Sequence, residues 1–451
     1  MTEASPRPAG RAAALALLSP RRAALQLAWP GILENLIRVG AQTVFYVGVG
    51  HLGASELAAY GASIQYLFLL FPIWQSLSVG SIAIVSRRMG SGEPVEAAAF
   101  ARQSLLLGLA LAILTGVAFL LLSEPLLLAY GATPAVAALG APYLRLSGGA
   151  NAVTTLLVIA LAILRAGGDT RSPFVITAVS ALVSVPVGFA LLGVMGLPGI
   201  AVGWLVANGT ALAWALWLLL RGNVGFRLGE GSWRLDRHRV SVLLDISLPS
   251  AGDQIAITLG VWLLGFLALR LGTETYAAHN VVGQVESVSF LPCIGFATAA
   301  SVMVGQSLGM GEVPRAERSG WAAAQSAAIW TSLAGLGMIL FAEPLMRSFT
   351  SDGAVVSAGV GAMRVIGVGQ PAQAINFVMG GSLRGAGDTR FTMLVSVFDW
   401  FVVRLPLALL FGFALKLGLT GLWLALVIDY FIRGSILVWR FRSQAWARRR
   451  Y

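Results

Sequence analysis

The chain has 451 residues, 57% hydrophobic and 11% charged, whereas a soluble domain carries about 25% charged residues; the composition suits lipid and excludes an ordinary water-soluble domain. A single cysteine, Cys293, and three histidines exclude a disulfide framework and a thiolate metal cluster. The net charge of +11 lies in clusters between or after apolar stretches, at Arg87-Arg88, at Arg234, Arg237 and Arg239, and at Arg448-Arg449-Arg450. That distribution fits the positive-inside rule and argues against nucleic acid as a partner.

In chain order, residues 1–23 read as a cytoplasmic tail, rich in Arg, Ala and Pro, without the short apolar core and cleavage site of a signal peptide. Apolar stretches long enough to cross about 30 Å of hydrocarbon follow at 25–49, 57–84, 103–122, 142–164, 172–193 and 199–220. These form an N-lobe over 24–221. A Gly- and Arg-rich segment, 222–243, reads as a cytoplasmic linker. Six more stretches, at 247–270, 276–304, 319–341, 362–383, 391–414 and 418–439, form a C-lobe over 244–441, and 442–451 is a second tail. The fold class is thus an all-α integral membrane protein of about twelve transmembrane helices in two six-helix bundles. Arginine is concentrated in alternate loops, which puts both termini on the cytoplasmic side of the plasma membrane.

The second half repeats the first 219 residues later. Glu124-Pro125-Leu126 returns as Glu343-Pro344-Leu345, Arg145 as Arg364, and Arg165 with Gly168-Asp169-Thr170-Arg171 as Arg384 with Gly387-Asp388-Thr389-Arg390. An even number of spans per half makes the repeat parallel, with its pseudo-two-fold axis along the membrane normal. Two such bundles suit a transporter that works by alternating access.

A charge near the bilayer centre costs about 2.5–3.5 kcal/mol on insertion scales, so each one calls for a reason. Glu34-Asn35, four residues after Pro30, matches Asp253-Gln254, four residues after Pro249. Asp253, Glu34 and, third, Glu286 are the candidates to hold a coupling ion, H+ or Na+, with no other cofactor. Glu34 and Arg38 are spaced i, i+4 and can neutralise each other, as can Asp429 and Arg433; Asp253 has Ile257 at that spacing and reads as a lone acid. With Asp399 and Arg404, the charges of the last two spans read as an internal ion-pair network. Asn35, Gln254, Gln65, Gln284, Asn280, Gln370 and Asn376 are the polar candidates to line a substrate path. The two Gly-Asp-Thr-Arg loops lack the full G-x-x-x-x-G-K-[ST] spacing of a nucleotide cradle. Their glycines read as helix ends, the Asp as a cap for the next helix and the Arg as facing cytoplasm.

Pro-Gly-Ile-Leu-Glu-Asn at 30–35, Arg-Arg-Met-Gly-Ser-Gly at 87–92, Leu-Arg-Ala-Gly-Gly-Asp-Thr-Arg at 164–171, Ala-Ala-His-Asn at 277–280, Glu-Ser-Val-Ser-Phe-Leu-Pro at 286–292 and Leu-Arg-Gly-Ala-Gly-Asp-Thr-Arg at 383–390 resemble the multidrug and toxic compound extrusion (MATE) family. The resemblance implies twelve helices in two lobes and export of cationic or amphipathic drugs against sodium or proton entry. It implies a lipid bilayer and small organic cations as partners, and a monomer is expected. Many members carry an acid on the outer half of the first helix, and some on the fifth. Here Gln42 to Gly50 and Ala178 to Leu192 hold none, and the tenth span offers Gln370, Gln373 and Asn376 but no carboxylate. The competing readings are a flippase for a lipid-linked precursor and a membrane-embedded enzyme. The second lacks any His/Glu zinc spacing or Ser/His/Asp set within the spans.

Overall fold

The structure, a computed structural model, describes residues 18–68 and 70–448. Most of the tail at 1–23, with Arg7 and Arg11, and the last residues of the tail at 442–451 lie outside the described residues. Long apolar segments can satisfy their backbone away from water only by folding as helices or closed barrels, and here every span is helical. The first half comprises α1 (Pro20–Gly50), α2 (Ala54–Phe68), α3 (Phe71–Gly90), α4 (Pro94–Ala129), α5 (Pro134–Gly149), α6 (Asn151–Ala166), α7 (Arg171–Met195) and α8 (Leu197–Arg221). The second comprises α9 (Arg237–Arg270), α10 (Thr273–Gly309), α11 (Val313–Leu340), the short α12 (Ala342–Arg347), α13 (Gly353–Gly385) and α14 (Thr389–Phe398). A π-wound turn, Asp399–Arg404, carries α14 into α15 (Leu405–Leu409), and a second, Leu410–Ala414, follows before α16 (Gly418–Arg442).

Among the described residues ten helices are long and apolar enough to cross a membrane, taking α2 with α3 as one, and the pair α5–α6, bent by 43°, makes an eleventh. The 31-residue α1, which carries Arg21, Arg22, Glu34 and Arg38 and is not among these eleven, is long enough to span as well. Helix ends keep the 219-residue repeat: Ala54 and Thr273 open α2 and α10, Pro134 and Gly353 open α5 and α13, and Ala166 and Gly385 close α6 and α13. The bend after α5 follows Gly148-Gly149, a pair that weakens a helix. There Asn151 turns its side chain to accept from Trp74 Nε1 at 2.9 Å and donate to Thr115 Oγ1 at 2.7 Å.

By packing, Leu33–Ser247 form one unit, and among the described residues 18–32 form another with 248–448. Each division falls inside the first helix of a repeat, beside Pro30 in α1 and Pro249 in α9. In the C-terminal unit α13 packs on α10, α11 and α16. Gly335 of α11 and Gly367 of α13 face each other so closely that a Cβ on either would meet the other's carbonyl oxygen. This is the close approach that small residues allow between membrane helices. In the N-terminal unit α7 packs on α8, α4 on α5 and α3 on α6.

The segment between α8 and α9 is fastened to the start of α4. Buried Arg102 donates to the carbonyls of Leu228, at 3.3 Å, and Glu230. Gln103 donates to Arg234 O at 2.8 Å and accepts from Asp236 N at 3.1 Å, and Arg239 pairs with Glu96 at 3.0 Å. Asp236 caps α9, accepting from His238 N and Arg239 N. Those backbone bonds, Arg239 first, hold its carboxyl below the usual carboxylate range.

Candidate functional site

Four residues after its proline, each repeat's first helix presents an acid, and each acid meets an arginine from the end of the repeat's fourth span. Arg165 of α6 donates to Glu34 Oε1. Its repeat mate Arg384 of α13 donates to Asp253 Oδ2 at 3.2 Å. Two sequence expectations are corrected here. Glu34 forms no ion pair with Arg38 among the described residues; Arg38 is exposed and donates to Asn35 at 3.1 Å, because Arg165 has taken the carboxylate. Nor is Asp253 a lone acid: it is fully buried, and it accepts from Ser396 Oγ as well as from Arg384.

From Asp253 a line of alternating charges runs through the C-terminal unit. Arg433 of α16 lies 3.9 Å from Asp253 and 3.6 Å from Asp399. Arg404 lies 4.0 Å from Asp399 and donates through Nε to Asp429 Oδ2 at 2.7 Å. The i, i+4 pairing of Asp429 with Arg433 is therefore not formed: Asp429 faces Arg404, while Arg433, one turn along, reaches α9 and the π-wound turn. The line holds three arginines and three aspartates and is neutral as a whole. That balance makes its burial tolerable, since a buried charge is costly unless it is paired.

The π winding is what joins Asp399 to Arg404. Residues five apart point to different faces of an α-helix, but i→i+5 bonding brings them to one face. Arg404 also stacks its guanidinium 3.8 Å from the ring centroid of Trp400 and 5.3 Å from that of Tyr430, a favourable place for a cation. Asp399 is 1% exposed, and neither of its carboxylate oxygens receives a hydrogen bond among the described residues.

Glu286 of α10 has a different setting. Gln373 Nε2 donates to its Oε1 at 2.6 Å and Tyr430 OH does so at 3.2 Å, while Gln373 also donates to Tyr430 OH at 3.0 Å. No arginine or lysine lies within ion-pair distance of Glu286 among the described residues. Beside this group Ser289 Oγ donates to Gln370 Oε1 at 2.5 Å, and Asn376 donates to Tyr430 O at 2.7 Å. Gln370 and Asn376 are buried. Asn280 and Gln284 are exposed, and among the described residues Asn280 bonds only back to Tyr276 O. Neither Gln65 nor Gln254 makes a side-chain hydrogen bond among the described residues, and Asn35 accepts from Arg38. No group of three or more His, Cys, Asp or Glu side chains is placed to hold a metal among the described residues.

The MatE family model matches residues 30–190 and 249–410, one match in each half. The chain belongs to this family. MATE proteins are transporters, not enzymes, and the two matches coincide with the sequence repeat. The chain is 26% identical to the "Probable multidrug resistance protein NorM" of Thermotoga maritima, over 95% of this chain and 94% of that one. It is 28% identical to the multidrug resistance protein NorM of Burkholderia vietnamiensis, over 92% of each. Among solved structures, one described as the outward-facing conformation of a multidrug resistance MATE family transporter superposes with a TM-score of 0.90 at 20% identity, covering 97% of this chain and 99% of that one. A MATE in the bent conformation matches with the same TM-score and covers 97% and 98%.

In this MATE chain the two Gly-Asp-Thr-Arg loops have diverged. Gly168 and Gly387 both take positive φ, +89° and +80°, and end their helices. Asp169 accepts from Ser172 N at 3.1 Å, as a cap does, but Asp388 makes no such cap bond and accepts instead from Arg440 Nε at 2.8 Å. Arg171 and Arg390 are exposed.

Reading the sequence missed Arg165 and Arg384 as partners of the acids, and Ser396 and Tyr430 as members of the polar groups. The arginines did carry a signal. Acid and arginine stand 131 residues apart in both halves, and a spacing kept by both copies is what a contact inside the repeat produces.

Proposed function

We propose that this MATE transporter is a secondary-active antiporter exporting cationic or amphipathic organic compounds in exchange for H+ or Na+, its two repeated bundles opening alternately to either side of the membrane. It acts as a monomer in the plasma membrane with both termini in the cytoplasm. One observation carries the coupling part of this reading: three buried aspartates alternate in one line with three arginines, Arg404 buried and Arg384 and Arg433 partly buried, in the C-terminal unit. Ions crossing the membrane supply the energy, about 2.3 kcal/mol per charge per 100 mV.

The coupling ion is assigned to the C-terminal unit, at the Asp253–Asp399–Asp429 line. Glu286, held by neutral donors, is assigned to meeting the substrate's positive charge. Among the described residues Glu34 has a single arginine partner and no extended network; its role is to fix α1 to α6. The relatives named as multidrug resistance proteins support the choice of substrate class. The test is ethidium transport by everted membrane vesicles carrying the full chain, with a proton gradient and a sodium gradient imposed in turn. One of the two drives accumulation; accumulation under neither would end the antiport reading.

A further inference from the structure

We propose that Asp399 is the residue that takes up and releases the coupling ion, and that this ion is a proton. The proposal rests on the antiport reading above and names the group that serves it. Three carboxylates share the buried line, but they are not equally provided for. Asp253 accepts from Arg384 and Ser396. Asp429 accepts from both Nε and Nη2 of Arg404. Asp399 has two guanidinium groups nearby, at 3.6 and 4.0 Å, and a hydrogen bond from neither. Leaving a buried ionised oxygen without a donor is costly, so a proton arriving in this line disrupts least by landing on Asp399. Protonating Asp253 would give up a bond already made to Arg384 or Ser396; Asp429 has a bare Oδ1, but a proton there would weaken the two charge-assisted bonds that its Oδ2 accepts from Arg404.

The groups facing Asp399 also select the ion. Arg404 comes from its own turn and Arg433 from α16; Asp253 of α9 shares Arg433. One link further are Arg384 of α13, Asp429 and Tyr430 of α16, and Glu286 of α10 through Tyr430. A sodium ion at Asp399 would sit among two guanidinium charges and be repelled, whereas a proton forms an O–H bond on the carboxylate itself and needs no further ligands. The proton comes from water on one side of the membrane and returns to water on the other. While it is bound, Arg433 keeps Asp253 as its counter-ion, and the line passes from three positive and three negative charges to three and two. A net charge of +1 disfavours a cationic substrate in the same unit, so proton and substrate exclude each other, as exchange requires. The repeat counterpart of Asp399 in the unbroken helix α7 is Ser180, which leaves one such site per chain.

The test uses the full chain purified in detergent and in proteoliposomes, with ethidium as probe. In the parent, ethidium affinity weakens as pH falls, by up to tenfold per pH unit. Asp399→Asn binds ethidium at the parent's low-pH level with no pH dependence, loses at least tenfold of proton-driven accumulation, and keeps passive exchange, which shows that it is folded. Asp399→Glu, which still titrates, keeps coupling with its pH midpoint moved. Proton-driven accumulation by Asp399→Asn within twofold of the parent would overturn the proposal, as would an unmoved midpoint in Asp399→Glu should the asparagine variant fail to fold. A parent driven by sodium alone would overturn the proton while leaving antiport intact; a parent driven by neither gradient would remove antiport itself.

Discussion

Arg384 donates to Asp253 across 131 residues of chain, and its repeat mate Arg165 does the same to Glu34 across the same interval. Each pair ties the first span of a bundle to the fourth. The acid stands just past the proline where that first helix divides between packing units.

Removing one member of a buried pair leaves the other charged and unmet, at a cost of about 3–5 kcal/mol. Asp253→Asn is therefore expected to lower the thermal midpoint in detergent as well as transport, because Arg384 and Arg433 lose their shared partner. Asp253→Asn with Arg384→Gln should regain part of the lost stability. A double variant less stable than the sum of the two singles would show that the pair is not acting as a unit.

Glu34→Gln should follow the same rule in the other unit, and Arg165→Gln should rescue it in part. Arg38→Gln, which removes an exposed partner of Asn35, is expected to change stability by less than about 0.5 kcal/mol. Thermal midpoints of the four variants check this ordering; a larger effect at Arg38 than at Arg165 would contradict it.

Glu286 is held by Gln373 and Tyr430 without a cation. Glu286→Gln is expected to fold normally, since the amide can still accept from both donors, and to weaken binding of ethidium much more than that of a neutral dye. Tyr430→Phe should cost about 0.6 kcal/mol, the average for such bonds between membrane helices. Equal losses for charged and neutral dyes would show that Glu286 shapes the site without reading charge.

The segment 222–236 is held by Arg102 and Gln103, so Arg102→Ala should cost about 1–3 kcal/mol through the carbonyls it leaves unmet and should hasten trypsin cleavage at Arg234. Asp236 adds a pH dependence. Its folded value lies below its unfolded one, so its contribution is present above the unfolded value, about 3.9, and is lost as pH falls through the folded value. Asp236→Asn at neutral pH should reproduce the acid effect in the same cleavage assay. Unchanged cleavage in both variants would mean that the strap does not hold.

Topology has its own test. In a Cys293→Ser background, cysteine at Ser232 should resist an impermeant maleimide in intact cells, while cysteine at Thr350 should react. The reverse pattern would invert the orientation drawn from the arginines.

The spans, their number and the repeat were legible because each rests on composition and on residues matched within the chain. The matched positions of Glu34 and Asp253 in the two halves were legible for the same reason. Their partners were not, because i, i+4 spacing is the nearest pairing a sequence offers, and it pointed to Arg38 for Glu34 and to Arg433 for Asp429. Tertiary contacts overrode it: Arg165 and Arg404 approach from other helices. The link between Asp399 and Arg404 was hidden for a further reason, since five-residue spacing brings side chains together only where a helix is π-wound.

That winding also records how the two halves ceased to be copies. Thr170-Arg171 and Thr389-Arg390 stand 219 residues apart. The contact of Gly199 with Leu191 returns as that of Gly421 with Phe411, which sets Leu191 and Phe411 220 apart. Gly196 and Gly418, both with positive φ, stand 222 apart. The register first slips by one residue across the stretch that holds Asp399–Arg404. Ser180 and Ser184, one α-turn apart in α7, thus correspond to Asp399 and Arg404, which span one residue more. The second half holds one residue more here, accommodated by a widened turn, where the first half has two serines and the second a buried ion pair. Deleting Val402 should close that turn and give the second half the register of the first.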